Sequence, residues 1–341
     1  MTHPTPLKFL MPGWFALVMG LCGLALAWLH AGAALGPPAK GVALVLGAGA
    51  VLVFAVLLLA SLLRQRRYPQ ALAEDLRHPL RHAFVAALPL SLLLLVTLGV
   101  ALFGPAPLWQ PLWWLGSLGQ LWATLWVLGR WLAPAPASGA GSATLWPTLT
   151  PLLLLAVVGN VLAPLAGLPL GQEVWSMAQF GIGILCWPLV LTLILARRIA
   201  HGPLPERALP TWFITLAPPA VIGLVLLQLQ APAPLAQAFW GLALFFLLWL
   251  LPLLRRIAAQ DFGVSFWALS FPLAAFCALT LRLAELQAGA DWHGMLQSTG
   301  LLLLAATSLV VLWLCVATLR GLRNGSLLAP EPLAPIVPAS S

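Results

Sequence analysis

"ALVLGAGAVLVFAVLLLASLL", residues 43–63, runs for twenty-one residues without a charge or a proline. A helix needs about 20 apolar residues to cross the hydrocarbon layer of a bilayer. The strict apolar–polar alternation of a membrane β-barrel strand is missing from this stretch. The rest of the chain repeats the pattern. Of 341 residues, 62% are hydrophobic and 7% are charged, where a soluble domain carries about 25% charged residues. Such a chain lacks the polar surface to cover itself in water. Lipid offers no partner to an unpaired backbone group, so its apolar runs read as α-helices. The expected fold class is an all-α integral membrane protein.

Ten such runs are expected, at about 12–31, 41–63, 83–103, 108–131, 146–168, 174–196, 209–229, 235–254, 264–287 and 295–319. The first could pass for a signal peptide. Its apolar part exceeds the ~7–15 residues of a signal core and more spans follow, so it is read as the first transmembrane helix. Trp14, Trp28, Trp109, Trp131, Trp146, Trp212 and Trp292 fall near span ends, where an amphipathic ring prefers to sit. The cationic residues set the orientation. With the N-terminus inside, the inner segments hold Lys8, Arg64, Arg66, Arg67, Arg77, Arg81, Arg130, Arg197, Arg198, Arg207, Arg255, Arg256, Arg320 and Arg323. Only Lys40 and Arg282 lie towards the outside. That bias predicts both termini in the cytoplasm. The spans then form five hairpins whose outgoing helices start near residues 12, 83, 146, 209 and 264. Residues 1–11 form a cytoplasmic N-terminus, 12–323 a single transmembrane domain, and 324–341 a short disordered cytoplasmic tail. The long inner loop 64–82 mixes arginines with Glu74 and Asp75 and is expected to lie along the membrane surface.

Prolines separate the two kinds of helix. Away from span ends, the outgoing helices carry Pro89, Pro151, Pro164, the pair Pro218-Pro219, and Pro272, whereas Pro188 stands inside the sixth, a returning helix. Proline removes a backbone donor and kinks a helix. Broken backbone at membrane depth survives where protein or a water-filled cavity satisfies it, and discontinuous helices point to a substrate path. Pro89, Pro151, Pro218 and Pro272 are therefore read as kinks of pore-lining helices shielded by the returning ones. The outgoing helices begin on the inner side, each N-terminus carrying about half an elementary positive charge. Together with the arginines, these ends would gather anions at the inner mouth, although positive-inside arginines also serve topology alone.

Charged residues within spans mark proton relays and coupling sites. Here Arg282 and Glu285 stand out, at i,i+3 near the end of the ninth span. They read either as an outer pore charge pair or as a self-neutralising pair at the interface. His30, His293, His78 and His82 lie at span ends and read as interfacial. Cys22, Cys186, Cys277 and Cys315 fall in apolar runs without CxxC spacing and read as small buried hydrophobes. No P-loop, HExxH or GxSxG motif occurs. No catalytic residue, metal, cofactor or nucleic-acid partner is expected. A pore without buried charge suits passive or weakly coupled movement of an ion.

Four stretches carry a resemblance to a known family: "PGWFALVMGLCGLALAWLH" (12–30), "HPLRHAFVAALP" (78–89), "FGIGILCW" (180–187) and "FWALSFPLAAF" (266–276). In this order they resemble the tellurite-resistance/dicarboxylate transporter family, which includes plant guard-cell slow anion channels. The resemblance covers about residues 9–320. It implies ten helices as five hairpins in a quasi-fivefold ring around a central pore, and a homotrimer of such subunits in a bacterial-type inner membrane. It also implies that a phenylalanine of the ninth span plugs the pore, which by the match of "SFP" is Phe271. A large apolar ring in a narrow apolar pore excludes water and so blocks ions; the other reading of Phe271 is packing between helices. The implied activity is passage of small anions. The alternatives are a proton-coupled carrier for C4-dicarboxylate or sulfite, and a tellurite or drug efflux protein. The family pattern is broken at Ala16, where bacterial members often have glycine. The long phosphorylated ends of the plant channels have no counterpart, so kinase gating is not expected.

Overall fold

The computed structural model describes residues 6–78, 81–132, 145–287 and 291–328, and these are helical with no β-strand among them. The tail expected from 324 lies outside the described residues from 329 onward, as do residues 1–5 at the other end. The long helical segments are α1 (Pro12–His30), α2 (Pro37–Arg67), α3 (Arg81–Phe103), α4 (Trp109–Leu132), α5 (Leu154–Gly167), α6 (Glu173–His201), α7 (Glu206–Gln228), α8 (Ala233–Leu250), α9 (Val264–Leu286) and α10 (His293–Arg323). Eight of them are long and apolar enough to cross a membrane. The other two fall short of that mark for separate reasons, although α4 matches the span expected at 108–131. α4 has the length, 24 residues, but its many tryptophans lower its mean hydropathy. α5 is short, because the run expected at 146–168 is not one helix. It opens on a 3₁₀ turn at Trp146–Thr148 and passes through an extended Leu149. It then becomes a π-helix over Leu154–Val158, 3₁₀ over Gly159–Leu162 and α only at Ala163–Gly167. Pro147, Pro151 and Pro164 each remove an amide from this stretch. The protein is a multi-pass membrane protein.

Backbone pitch divides odd helices from even ones. Every odd helix contains a 3₁₀ stretch followed by α: Pro12–Phe15 in α1, Arg81–Ala86 in α3, Gly159–Leu162 in α5, Glu206–Leu216 in α7 and Val264–Leu269 in α9. The even helices are plain α, and α6 stays so across Pro188. Most prolines of the odd helices stand just past the change of pitch. Pro89 is the third residue of the α stretch Ala87–Phe103, Pro164 the second of Ala163–Gly167 and Pro272 the third of Ser270–Leu286. Pro218 and Pro219 are the second and third of Ala217–Gln228. A first turn tolerates proline, since its amides have no i−4 partner within the α segment.

Burial follows the same division. In α1, α3, α7 and α9 between 67% and 83% of the apolar stretch is buried, against 22–28% in α2, α6, α8 and α10. Each odd helix packs on its successor as a hairpin, α1 on α2 through to α9 on α10. The odd helices also touch in sequence, α1 with α3, α3 with α5, α5 with α7 and α7 with α9, and α9 returns to α1. The α1–α9 contact is close because α1 offers glycines there. A Cβ on Gly20 would lie 2.3 Å from Ser270 Oγ, and one on Gly23 would lie 2.9 Å from Phe271 Cδ2.

At the end where odd helices begin, a short helix, Pro69–Arg77, buries Asp75. Asp75 accepts Arg64 at 2.8 Å and Arg81 at 3.3 Å. Arg64 also donates to Lys8 O at 2.9 Å, and Arg130 to Leu76 O at 3.0 Å. The inner loop, expected along the membrane surface, is thus tied to the N-terminal turn, α2, α3 and α4.

Candidate functional site

The odd helices enclose a cavity of about 60 Å³. All five contribute to its wall, among them Ala16 and Met19 of α1, Phe84 and Leu90 of α3, Leu155, Val158 and Gly159 of α5, Pro218 and Val221 of α7, and Phe271 and Pro272 of α9. Among the described residues the wall carries no ionisable side chain. Its hydroxyls, Thr211 and Ser265, donate to backbone, Thr211 Oγ1 to Ala208 O at 2.6 Å and Ser265 Oγ to Arg207 O at 2.9 Å. The Trp267 indole N–H is taken by Thr318 Oγ1 at 2.9 Å. What remains is carbon. Such a surface holds water poorly, and a dewetted constriction stops ions without touching them.

Phe271 stands in the first turn of the α part of α9, 8% exposed, with its ring edge against the bare backbone of Gly23. Pro272 and Pro218 share the cavity with it. Pro89 is buried outside the lining, with its Cβ against Gly119 of α4. Pro151 is buried in the turn before α5, also outside the lining. Arg282 and Glu285 form a pair at 2.5 Å at the opposite end of α9, with side chains 36% and 38% exposed, away from the cavity. Cys22 and Cys277 are buried free thiols, and Cys186 and Cys315 are half-buried.

Sequence reading passed over one cluster that supports this wall. Gln120 of α4 donates through Nε2 to Leu155 O at 3.0 Å and Ala156 O at 3.1 Å. Thr124 Oγ1 donates to Ala156 O at 2.7 Å. Asn160 Nδ2 donates to Thr124 Oγ1 at 2.7 Å and Val157 O at 3.1 Å. These side chains hold three successive carbonyls of the irregular α5 backbone, and Gln120 and Asn160 are fully buried. The signal was there to find: a neutral amide inside an apolar run must have a partner, as a charge must.

Comparison with known proteins places this architecture. The family model for SLAC1, voltage-dependent anion channel, matches residues 10–319. The chain is 28% identical over 329 residues to the tellurite resistance protein TehA homolog of Haemophilus influenzae, covering 95% of this chain and 93% of that protein. It is 27% identical over 299 residues to an uncharacterized transporter of Methanocaldococcus jannaschii, covering 80% of this chain and 83% of that one. With the S-type anion channel SLAH2 of Arabidopsis thaliana it shares 26% identity over 218 residues, which is 63% of this chain and 40% of the plant protein. The match runs from just before α1 to near the end of α10 and takes in every residue of the cavity wall: the chain belongs to the voltage-dependent anion channel family.

Proposed function

We propose that this protein is a channel or exporter for small anions, with Phe271 as the plug of its pore. Ten spans form five hairpins, the odd helices make a quasi-fivefold ring, and the cavity between them is the closed pore. The observation that carries this reading is the Phe271 ring in an apolar cavity where all five odd helices meet, in a chain of the anion channel family. Pro272, one residue on, stands in a first turn whose amides have no partner within the α segment, so no ladder bond has to break at that residue for the ring to swing. The arginine-rich end faces the cytoplasm, by the positive-inside bias. The bilayer is a bacterial-type inner membrane, and the subunit assembles as a homotrimer like the family it resembles. A proton-coupled dicarboxylate or sulfite carrier would need a titratable group in the path, and the lining has none among the described residues.

The test is current through Phe271→Ala in planar bilayers under an anion gradient. The parent protein stays closed and the variant passes anion current. A folded Phe271→Ala protein that stays silent removes the plug from the account. Cross-linking in native membranes that yields only monomers removes the trimer.

A further inference from the structure

The least regular helix, α5, supplies as many residues of the cavity wall as α9 does. Leu155, Val158 and Gly159 of α5 line it where the chain passes from π to 3₁₀ pitch. A π segment inside a helix stores one extra residue per turn, is locally less stable than α, and is often found at functional sites. In lipid such backbone persists only when its polar groups are met by protein. Here they are met by Gln120, Thr124 and Asn160, which hold the carbonyls of Leu155, Ala156 and Val157. Gly159 is part of the same joint. A Cβ there would lie 2.7 Å from Gln120 Nε2, so glycine lets the amide reach the wall from behind. The bracket also has spare capacity. Gln120 Oε1 and Asn160 Oδ1 are buried and meet no donor among the described residues. They can accept backbone amides that a change of pitch would release.

We propose that Gln120 is a positioning residue for a second moving part of the pore: with Thr124 and Asn160 it holds α5 in mixed π/3₁₀ pitch, and exchange of this bracket for a regular α ladder shifts the α5 wall and resets the pore width. The inference rests on the pore reading for its consequence, but the bracket and its effect on α5 stand independently of it. Phe271 would then decide whether the pore is open, and α5 how wide it is.

The experiment uses the full-length protein. Gln120→Met keeps the side-chain length and removes both donors. Gln179→Met is the control, since Gln179 is an equally buried amide that donates to Ser117 O at 2.8 Å and, among the described residues, makes no hydrogen bond to α5's carbonyls. Hydrogen exchange read by mass spectrometry should rise about tenfold across residues 154–162 in Gln120→Met, the effect of losing roughly one net hydrogen bond. It should stay unchanged there in Gln179→Met. In the Phe271→Ala background, reversal potentials should show a shifted size cut-off for anions with Gln120→Met and not with Gln179→Met. Thr124→Val should act like Gln120→Met, and Thr124→Ser, which keeps the hydroxyl, should restore the parent values; this pair decides the matter if Gln120→Met does not fold. Exchange at 154–162 that is unchanged, or that rises equally in both glutamine variants, overturns the proposal. A silent Phe271→Ala protein would refute the pore reading instead, and the exchange arm would still decide whether the bracket controls α5.

Discussion

Gly20 and Gly23 stand one turn apart on α1 and face the same turn of α9, yet a methyl group would meet different neighbours at each. On Gly20 it would lie 2.3 Å from Ser270 Oγ, 2.7 Å from Ser270 Cβ and 3.0 Å from the Trp267 ring. Ser270 Cβ follows its backbone and Trp267 is held by Thr318, so neither can yield. Gly20→Ala should therefore part α1 from α9 at a cost of about 1–3 kcal/mol, read as a lower melting temperature in detergent. On Gly23 the nearest atom is the ring edge of Phe271, at 2.9 Å. A ring edge can turn aside. Gly23→Ala should cost less stability and, if Phe271 is the plug proposed above, raise the basal anion leak of liposomes. Equal melting temperatures for the two variants, with no leak from Gly23→Ala, would place Phe271 in ordinary helix packing.

Helix Pro69–Arg77 shows how an element is held at the membrane edge. Its Asp75 carboxylate is 3% exposed and its Arg64 partner 9% exposed, so the pair is desolvated. Removing one partner of such a pair strands the other charge, at about 3–5 kcal/mol. Asp75→Ala should lower the melting temperature accordingly and loosen the entry to α3, where Phe84 reaches the cavity. Replacing the pair together, Asp75→Leu with Arg64→Met, should recover most of that loss, since apolar side chains of similar size often substitute for a buried pair without penalty. Arg81, 26% exposed, keeps contact with water in that variant. A double variant no more stable than Asp75→Ala would mean that the element depends on the charges for its geometry. The indoles work at the same level. Trp28 Nε1 donates to Ser308 Oγ at 3.2 Å, Trp113 Nε1 to Ala163 O at 3.0 Å and Trp240 Nε1 to Thr280 Oγ1 at 3.0 Å. Of these, Trp28 is a residue expected to anchor the interface, and it also ties α1 to α10.

Across the whole molecule, charge and apolar surface are kept apart. The arginines other than Arg282 gather where the odd helices begin, and the cavity beyond them offers carbon and, among the described residues, no ionisable group. An anion drawn to that mouth would find no counter-charge further in, so its passage is governed by the work of shedding water. The anion order through Phe271→Ala should then follow ease of dehydration, nitrate ahead of chloride and chloride ahead of fluoride, as measured by reversal potentials under bi-ionic conditions. A preference for fluoride, or selectivity that vanishes on raising salt, would indicate a charged filter in place of an apolar one.

Much of this was legible in residue order because the bilayer removes alternatives. A run such as 43–63 has one stable form in lipid, so the helices follow from local composition, and the arginine bias gives the expected orientation. The prolines likewise act within a turn of where they stand, and the helices marked by Pro89, Pro218 and Pro272 are among the buried ones, with α1 buried beside them. Short-range reading failed at 146–168. There Pro151 and Pro164 signalled a break, but the carbonyls of the π segment find partners in Gln120 and Thr124, more than 30 residues away in sequence. Asp75 looked like a surface charge until Arg64 and Arg81 closed on it. Phe271 was singled out by resemblance, but its place beside Gly23 depends on α1 and α9 meeting at the two ends of the chain. Lipid and the backbone settle what each segment becomes. Which side chains meet across segments is settled by close packing, where shape complementarity and the need to pair every buried polar group act together.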